Sequence, residues 1–237
     1  MIARNEANNI KRCLQSINEF VDEIIVVDTG SKDNTKEIAH SFDAKVIQEK
    51  WENNFSKHRN TSLAHASGEW ILFLDCDEEI APNHGQKLKQ VINTDFYEGY
   101  FVLIEHQPEN NSNIIFPSIR LFKNRNCFQF QGKIHEQIVH SIVNNYSMDK
   151  IGNTEIKIIH HGYDASRNNI KAKSKRNMKI LNNYSEKDKD GFYYYNLGTE
   201  YLRKGNKKQA LDYFKKALNI TSSNYAYAPF LIKNTII

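Results

Sequence analysis

Asp75 and Asp77, in the run Leu74-Asp75-Cys76-Asp77-Glu78-Glu79, are the residues whose type and spacing most directly suggest chemistry. Mg2+ is commonly bound by one or two carboxylates plus substrate phosphates. An Asp-x-Asp pair therefore fits a metal–diphosphate site for a hard cation such as Mg2+ or Mn2+. The same acids fit a solvated turn that caps a helix near Pro82. A second acid, Asp28, ends another apolar run, Ile24-Ile25-Val26-Val27, and leads into Thr29-Gly30-Ser31-Lys32-Asp33. Read without further context, Arg59 is a helix-surface ion-pair partner, and Arg120 either reaches a ligand or serves as a surface charge on a hairpin.

Elements must bring these residues together. Trp70 to Leu74 is an unbroken apolar run, which reads as a strand buried on both faces. Asp75 and Asp77 then stand past its carboxyl end, the edge at which open α/β sheets bind ligands. Ile10, Cys13, Leu14 and Ile17 recur at helical spacing, and Ala44 to Gln48 reads as a strand. Ser31 or Asp33 is positioned to cap a helix running to about Phe42, and Phe55 to Ala66 reads as a helix ended by Gly68. Strands alternating with helices imply a parallel, doubly wound sheet of three or four strands, with Asp28 and Asp75 at one edge of it. A helix from Pro82 to about Ile92 follows. Gly99 to His106 and Ile114 to Lys123 then read as a hairpin around a polar loop at residues 108–113, with further strand candidates at Cys127 to Phe130 and Ile156 to His160. From about Ser166 the chain turns helical and basic, which is most simply a solvated face. Leu197-Gly198, Tyr201, Ala210 and Phe214 fit the spacing of a tetratricopeptide repeat, and Tyr225 to Leu231 fits the start of a second. Such repeats bury their apolar faces only against neighbours. The unit is expected to lean on the preceding domain, on residues outside this chain, or on a second copy in a homodimer.

The 237 residues suit one good-sized domain plus an appendage, here divided at 1–165 and 166–237. The net charge of +4 leaves 28 acids against 32 bases, too balanced to suggest a nucleic-acid partner but compatible with anionic substrates. Three scattered cysteines form neither a metal motif nor a disulfide framework, so a reducing, cytoplasmic setting is expected. No apolar run is long enough for a membrane span, and the start lacks the apolar segment of a signal peptide. Only Met1-Ile2-Ala3 precede Arg4-Asn5-Glu6, so the first strand is expected to be clipped or continued upstream.

Ala3-Arg4-Asn5-Glu6, Val27-Asp28-Thr29-Gly30-Ser31, Asn54-Phe55-Ser56 with Arg59-Asn60, and Leu74-Asp75-x-Asp77 follow one another in this order. Together they resemble family 2 glycosyltransferases of the GT-A fold, an α/β architecture with a Rossmann-like mixed sheet flanked by helices, here followed by a short helical tetratricopeptide-like extension. The blocks Gly132-Lys133-Ile134-His135-Glu136 and His160-His161-Gly162-Tyr163, with Asn168 to Lys171, resemble the bacteriocin-modifying branch that includes sublancin-type peptide S-glycosyltransferases. Lipopolysaccharide-core glycosyltransferases share much of the pattern.

The resemblance implies a UDP-sugar donor and a divalent metal. It implies that Asp28 accepts a hydrogen bond from uracil, that the turn Ala3-Arg4-Asn5-Glu6 lines the nucleoside pocket, and that Arg59 contacts the base or ribose side. Asp75 would face ribose or metal, Asp77 would bind the metal, and His161, with His160 as substitute, would be a late metal or diphosphate contact. Arg120 would reach the diphosphate or the acceptor. Glu136, beside His135, is the candidate general base, a role that contributes roughly two to four powers of ten; its ordinary alternative is an ion pair with Arg120 or Lys133. The acceptor is expected to be a peptide Cys or Ser side chain, or a glycan. A non-catalytic repeat-containing binding module and a nucleotidyltransferase are the rival readings.

Overall fold

The computed structural model describes residues 1–106, 114–161 and 167–220. They gather into two compact units. One comprises Met1–Glu52, Lys57–Phe130 and Ser141–Asp164; the other comprises Asn53–Ser56, Gln131–His140 and Ala165–Ile237. The expected hairpin loop at 108–113, the Gly162-Tyr163 pair, Ser166 and the start of a second repeat at Tyr225 lie outside the described residues.

The first unit opens with β1 (Ile2–Ala3), α1 (Ile10–Ile17), β2 (Ile25–Asp28), α2 (Thr35–His40) and β3 (Lys45–Gln48). The three strands form a parallel sheet in the order β1-β2-β3. All of the helical-period residues of α1, Ile10, Cys13, Leu14 and Ile17, are buried, as their spacing requires. The α2 helix starts later than expected. Its N-cap residue is Asn34 rather than Ser31 or Asp33, and the Asp33 carboxylate accepts from the Thr35 N–H at 3.2 Å just ahead of the first turn.

Next come α3 (Phe55–Ala64), β4 (Trp70–Leu72), β5 (Glu78–Ile80), α4 (Gly85–Val91), β6 (Gly99–His106), β7 (Ile114–Lys123), α5 (Val139–Asn145) and β8 (Ile151–His160). A second, mixed sheet has the order β4-β7-β6-β8-β5. The sheet is mixed as the resemblance implies, but β4, expected beside the parallel strands, lies in this second sheet instead. β4 is short and half-buried, and it pairs antiparallel with β7. Its ladder partner in a continuous sheet would have to be β1, which has only two residues. Thiols tie the segment after β4 to the first sheet and its helix: Cys76 Sγ lies 3.5 Å from the Ile2 carbonyl of β1, and Cys13 Sγ of α1 lies 3.5 Å from that of Asp75. A common core still spans both sheets, with Leu14, Val26, Leu74, Val102, Leu121 and Ile158 among its members. Cys127 to Phe130 is not a strand. Phe128 and Phe130 are buried, but the local backbone is held by side chains, Asn60 on Phe130 and the Ser141 hydroxyl on Gln129.

The second unit carries α6 (Arg167–Asn182), α7 (Gly191–Arg203) and α8 (Lys207–Ile220). Asp190 caps α7, accepting from the Tyr193 N–H at 2.8 Å. Ala210, Phe214 and Ala217 of α8 pack on the aromatic face of α7. The helices approach so closely that a Cβ on Gly198 would stand 2.7 Å from the Phe214 ring. The tetratricopeptide spacing thus corresponds to a packed helical pair. Among the described residues, no helix is long and apolar enough to cross a membrane. The cysteines are free, Cys13 and Cys76 buried and Cys127 exposed.

Candidate active site

Two loops at the carboxyl ends of β1 and β2 are stitched together. Asp28 is 1 % exposed, and its carboxylate accepts from the Gly30 N–H at 3.1 Å and the Ser31 N–H at 3.0 Å. Gly30 has φ +104°, the left-handed turn that this clasp requires. Asn5, also left-handed at φ +55°, donates its N–H to Ser31 Oγ at 2.9 Å and accepts from the Lys32 N–H at 2.8 Å. The Glu6 N–H donates to Thr35 Oγ1 at 2.8 Å, and the Thr29 N–H to the Ala3 carbonyl at 2.9 Å. The predicted turn Ala3-Arg4-Asn5-Glu6 and Asp28 are therefore neighbours, with Arg4 exposed. Burial raises the Glu6 pKa against its bond to Asn9, and the charges of Asp77, Asp33 and Asp75 raise it further.

At the end of β4 the acids meet guanidiniums. Arg59 Nη2 lies 2.7 Å from Asp75 Oδ1, and Arg120 Nη2 lies 3.7 Å from Asp75 Oδ2. The same Arg120 nitrogen is 2.6 Å from Glu78 Oε1, and Glu78 Oε2 accepts from the Asp75 N–H at 2.9 Å. Both guanidiniums lie over the Phe73 ring, at 4.8 and 4.3 Å. Burial opposes ionisation of Asp75, but the charges of Arg59 and Arg120 outweigh it and hold the group well below the usual carboxylate range. Glu78 is pushed the other way, chiefly by its own burial and with help from the Asp75 charge. Spacing alone did not mark Glu78 as a member of this cluster. Its signal lay in the acidic run after Asp77, which was read only as the beginning of a turn.

Asp77 faces β8. Its Oδ2 is 3.2 Å from His160 Nε2, and its carbonyl accepts from the His161 N–H at 2.9 Å. The His161 ring turns instead to Glu79, 2.7 Å away. The expected order of the two histidines is thus reversed in space: His160 is the imidazole beside Asp77. On its other side, His160 Nδ1 meets His106 Nδ1 at 2.8 Å, the two residues being directly paired in the β6–β8 ladder. Burial works to lower the His160 pKa, but the bond and charge of Asp77, with Glu78 and Asp75 beyond, raise it. No group of three or more His, Cys, Asp or Glu among the described residues could by itself hold a metal ion. The donor chemistry fits a cation all the same. A carboxylate and an imidazole converge with their side chains 26 % and 21 % exposed, and Mg2+ or Mn2+ commonly completes its shell with diphosphate oxygens and water.

His135 and Glu136 belong to the second unit. Gln131 and Gln137 exchange both backbone hydrogen bonds at 3.0 Å and close a short loop around them. Gly132 (φ +95°) and His135 (φ +53°) turn this loop through the left-handed region. A cavity of about 390 Å³ beside it is lined by Gly132, Lys133, His140, Tyr184, Asp190 and Phe192, among others. The Glu136 charge acts on Arg176 of α6.

A family model described as glycosyl transferase family 2 matches residues 1–161. The chain belongs to glycosyltransferase family 2. A tetratricopeptide-repeat model matches residues 192–224 of this glycosyltransferase-family chain. It is 31% identical over 229 residues to the SPbeta prophage-derived glycosyltransferase SunS of Bacillus subtilis (strain 168), covering 92% of this chain and 52% of SunS. It is 32% identical over 223 residues to a tetratricopeptide-repeat-containing protein of Synechococcus elongatus, covering 92% of this chain and 55% of that protein. The chain spans about half the length of these curated relatives. The fold resembles residues 1–349 of S. aureus TarS in complex with UDP-GlcNAc, with a TM-score of 0.56 at 18% identity over 99% of this chain and 87% of that one. It also resembles glucosyl-3-phosphoglycerate synthase of Mycobacterium tuberculosis with Mn2+ and UDP-glucose, with a TM-score of 0.54 at 16% identity over 76% and 74% of the two chains. The fold is thus of the GT-A type, with mixed sheets flanked by helices and helices at the C-terminal end.

Proposed function

We propose that this family 2 chain transfers a sugar from a UDP-sugar to a peptide Cys or Ser side chain, with inversion at the anomeric carbon and dependence on Mg2+ or Mn2+. The observation that carries the reading is the Asp75–Asp77 cluster, where a pinned carboxylate, a freer one and two guanidiniums lie beside the loops around Asp28. Asp28, Ala3, Arg4, Asn5 and Glu6 would hold the nucleoside. Arg59 and Arg120 fix Asp75, and their charge would also meet the diphosphate. Asp77 would bind the cation with His160 as its imidazole partner; His161 would have to leave Glu79 to join. The cation, when bound, supplies Lewis-acid stabilisation of the departing diphosphate.

Two features of this chain suit that chemistry. Guanidiniums backed by Phe73 stay fixed while charge develops on the leaving group. The Glu136 carboxylate takes the acceptor's proton as the new bond to the anomeric carbon forms and the bond to the β-phosphate oxygen breaks. For a thiol acceptor this help matters less, since a free cysteine already yields some thiolate near neutral pH. The resemblance of the Gly132–Glu136 and His160–His161 blocks to the bacteriocin-modifying branch supports the peptide over a glycan. The division near residue 165, a cytoplasmic setting and a homodimer through the helical extension belong to the same proposal; Leu202, Leu218 and Ile220 are exposed apolar residues on that extension.

A thermal-shift screen with Mn2+ and UDP-glucose, UDP-N-acetylglucosamine and their relatives tests the reading. A stabilising donor whose UDP is released on turnover supports it. Release of pyrophosphate would point to nucleotidyl transfer, and absence of any donor effect would point to a binding module.

A further inference from the structure

Glu200 is a carboxylate that the helical repeat does not need for its own packing. The α7–α8 contact is made by Tyr194, Tyr195, Tyr201, Ala210, Phe214 and Ala217. Glu200 turns away from it, and its side chain is 0 % exposed. Its Oε1 accepts from Asn177 Nδ2 of α6 at 2.7 Å and from Arg203 Nη1 at 2.7 Å. The third group facing it is His135, whose Nε2 lies 3.7 Å from the same oxygen. Glu200 Oε2 and His135 Nε2 are both buried without a hydrogen-bond partner, as are Ser174 Oγ and Asn196 Nδ2, so His135 and Glu200 are complementary groups just beyond hydrogen-bond reach of one another. Burial opposes the charge on Glu200, but the nearby His135 imidazole, the bond from Asn177 and the charge of Arg203 bring its pKa down to about 2. A buried carboxylate is tolerated only where such partners exist.

The loop it grips has little freedom. The Gln131–Gln137 pair closes it, and His135 sits at φ +53°, a conformation in which residues other than glycine are uncommon. Glu136 is the next residue along this loop. The charges of Glu136 and Glu200 both act on Arg176, so these groups form one local cluster within the second unit.

We propose that Glu200, on the first helix of the repeat, is a positioning residue for the transfer reaction: it holds His135, and through it aims the Glu136 carboxylate at the acceptor's proton. The repeat is then part of the catalytic apparatus as well as a packing module. The inference rests on the reading of Glu136 as general base. General-base efficiency depends on hydrogen-bond reach, and a misplacement of about 1 Å can cost about a hundredfold in rate.

The test uses the full chain with UDP-glucose, Mn2+ and a Ser-containing acceptor peptide, or whichever UDP-sugar the screen selects. Glu200→Gln keeps the side-chain shape and removes the charge. Its kcat is expected to fall roughly ten- to hundredfold, while donor KM stays within about twofold and UDP binds at wild-type stoichiometry. Glu136→Gln is expected to lose at least as much, and Glu136→Gln/Glu200→Gln to be no slower than Glu136→Gln alone, because aim is irrelevant once the base is gone. A purely structural Glu200 would instead lower UDP-binding stoichiometry, or multiply its effect with that of Glu136→Gln. Either result, or wild-type kcat in Glu200→Gln alongside an impaired Glu136→Gln, overturns the positioning role. Wild-type kcat in Glu136→Gln overturns the base assignment itself. If Glu200→Gln does not fold, His135→Asn tests the same link, since asparagine accepts the left-handed backbone; it is expected to show the same kcat loss with unchanged donor KM, and a wild-type kcat there overturns the proposal.

Discussion

Replacing Arg120 by leucine should produce a stability defect that grows with pH. Arg120 is the cation 2.6 Å from Glu78, whose side chain is 1 % exposed, and its guanidinium also rests 4.3 Å above the Phe73 ring. The Glu78 pKa is already raised by burial. Without Arg120 it rises further, because the opposing charge is gone. Below the ordinary glutamate value, about 4.3, the carboxyl is protonated in both folded and unfolded chains, and the variant loses mainly the cation–π contact, about 1 kcal/mol. Above that value the unfolded chain releases the proton while the folded chain resists. Stability then falls by about 1.4 kcal/mol per pH unit until the folded pKa is reached. In the wild type this fall ends near the folded value of about 7, whereas in the variant it continues, so by pH 8 the deficit should grow by up to about 1.4 kcal/mol, to roughly 2–2.5 kcal/mol in all. Urea unfolding of both proteins at pH 4.5 and pH 8 measures it. Arg120→Leu/Glu78→Gln should recover most of the pH 8 deficit. A deficit equal at both pH values, or no recovery in the double variant, would refute the assigned pairing.

Gly198→Ala should lower stability by about 1–3 kcal/mol by overpacking, since its methyl would stand 2.7 Å from the Phe214 ring; Gly198→Ala/Phe214→Leu, read by thermal unfolding, should regain part of the loss. Asp28→Ala removes the acceptor of the Gly30 and Ser31 N–H groups, leaving donors in a partly buried loop. A cost of about 1–3 kcal/mol and weakened UDP binding by calorimetry are expected together, and unchanged UDP affinity would remove Asp28 from the nucleoside pocket. His106→Leu takes away the Nδ1 partner of His160. Mn2+ affinity in the presence of UDP should fall roughly ten- to hundredfold, as for other outer-shell partners of metal-binding histidines, and EPR titration of free Mn2+ reads it directly.

How much of this was visible in the residues follows from the distance over which each feature is fixed. The buried stripe of α1 is local, so the spacing of Ile10, Cys13, Leu14 and Ile17 sufficed. The place of Asp28 at the end of β2 was legible because an acid closes a short apolar run, whereas its bonds to the Gly30 and Ser31 N–H groups appear only in the fold. The Gly198–Phe214 approach was legible because a repeat carries its packing in a fixed period. Strand β5 was not, since Glu78-Glu79-Ile80 is too short to show alternation and its partner β8 lies some eighty residues on. The same holds for β4, whose apolar run is equally consistent with a central parallel strand; the antiparallel partner β7 is specified only by the hairpin far downstream. The exchange of His161 for His160 beside Asp77 depends on ladder register, because one residue along a strand reverses the face. Glu200 sits on a helix whose other charges are solvated, and only its contacts with α6 and His135 distinguish it.

The central claim is that Asp77 and its neighbours hold a cation together with a nucleoside diphosphate. Calorimetric titration of UDP into the chain, with and without Mn2+, for the wild type and Asp77→Ala, tests it most directly. The account predicts that Mn2+ strengthens UDP binding by tenfold or more in the wild type, about 1.4 kcal/mol or above, and that this gain disappears in Asp77→Ala while the fold is retained. UDP affinity that is indifferent to Mn2+ in the wild type, or a gain that survives intact in Asp77→Ala, would contradict it.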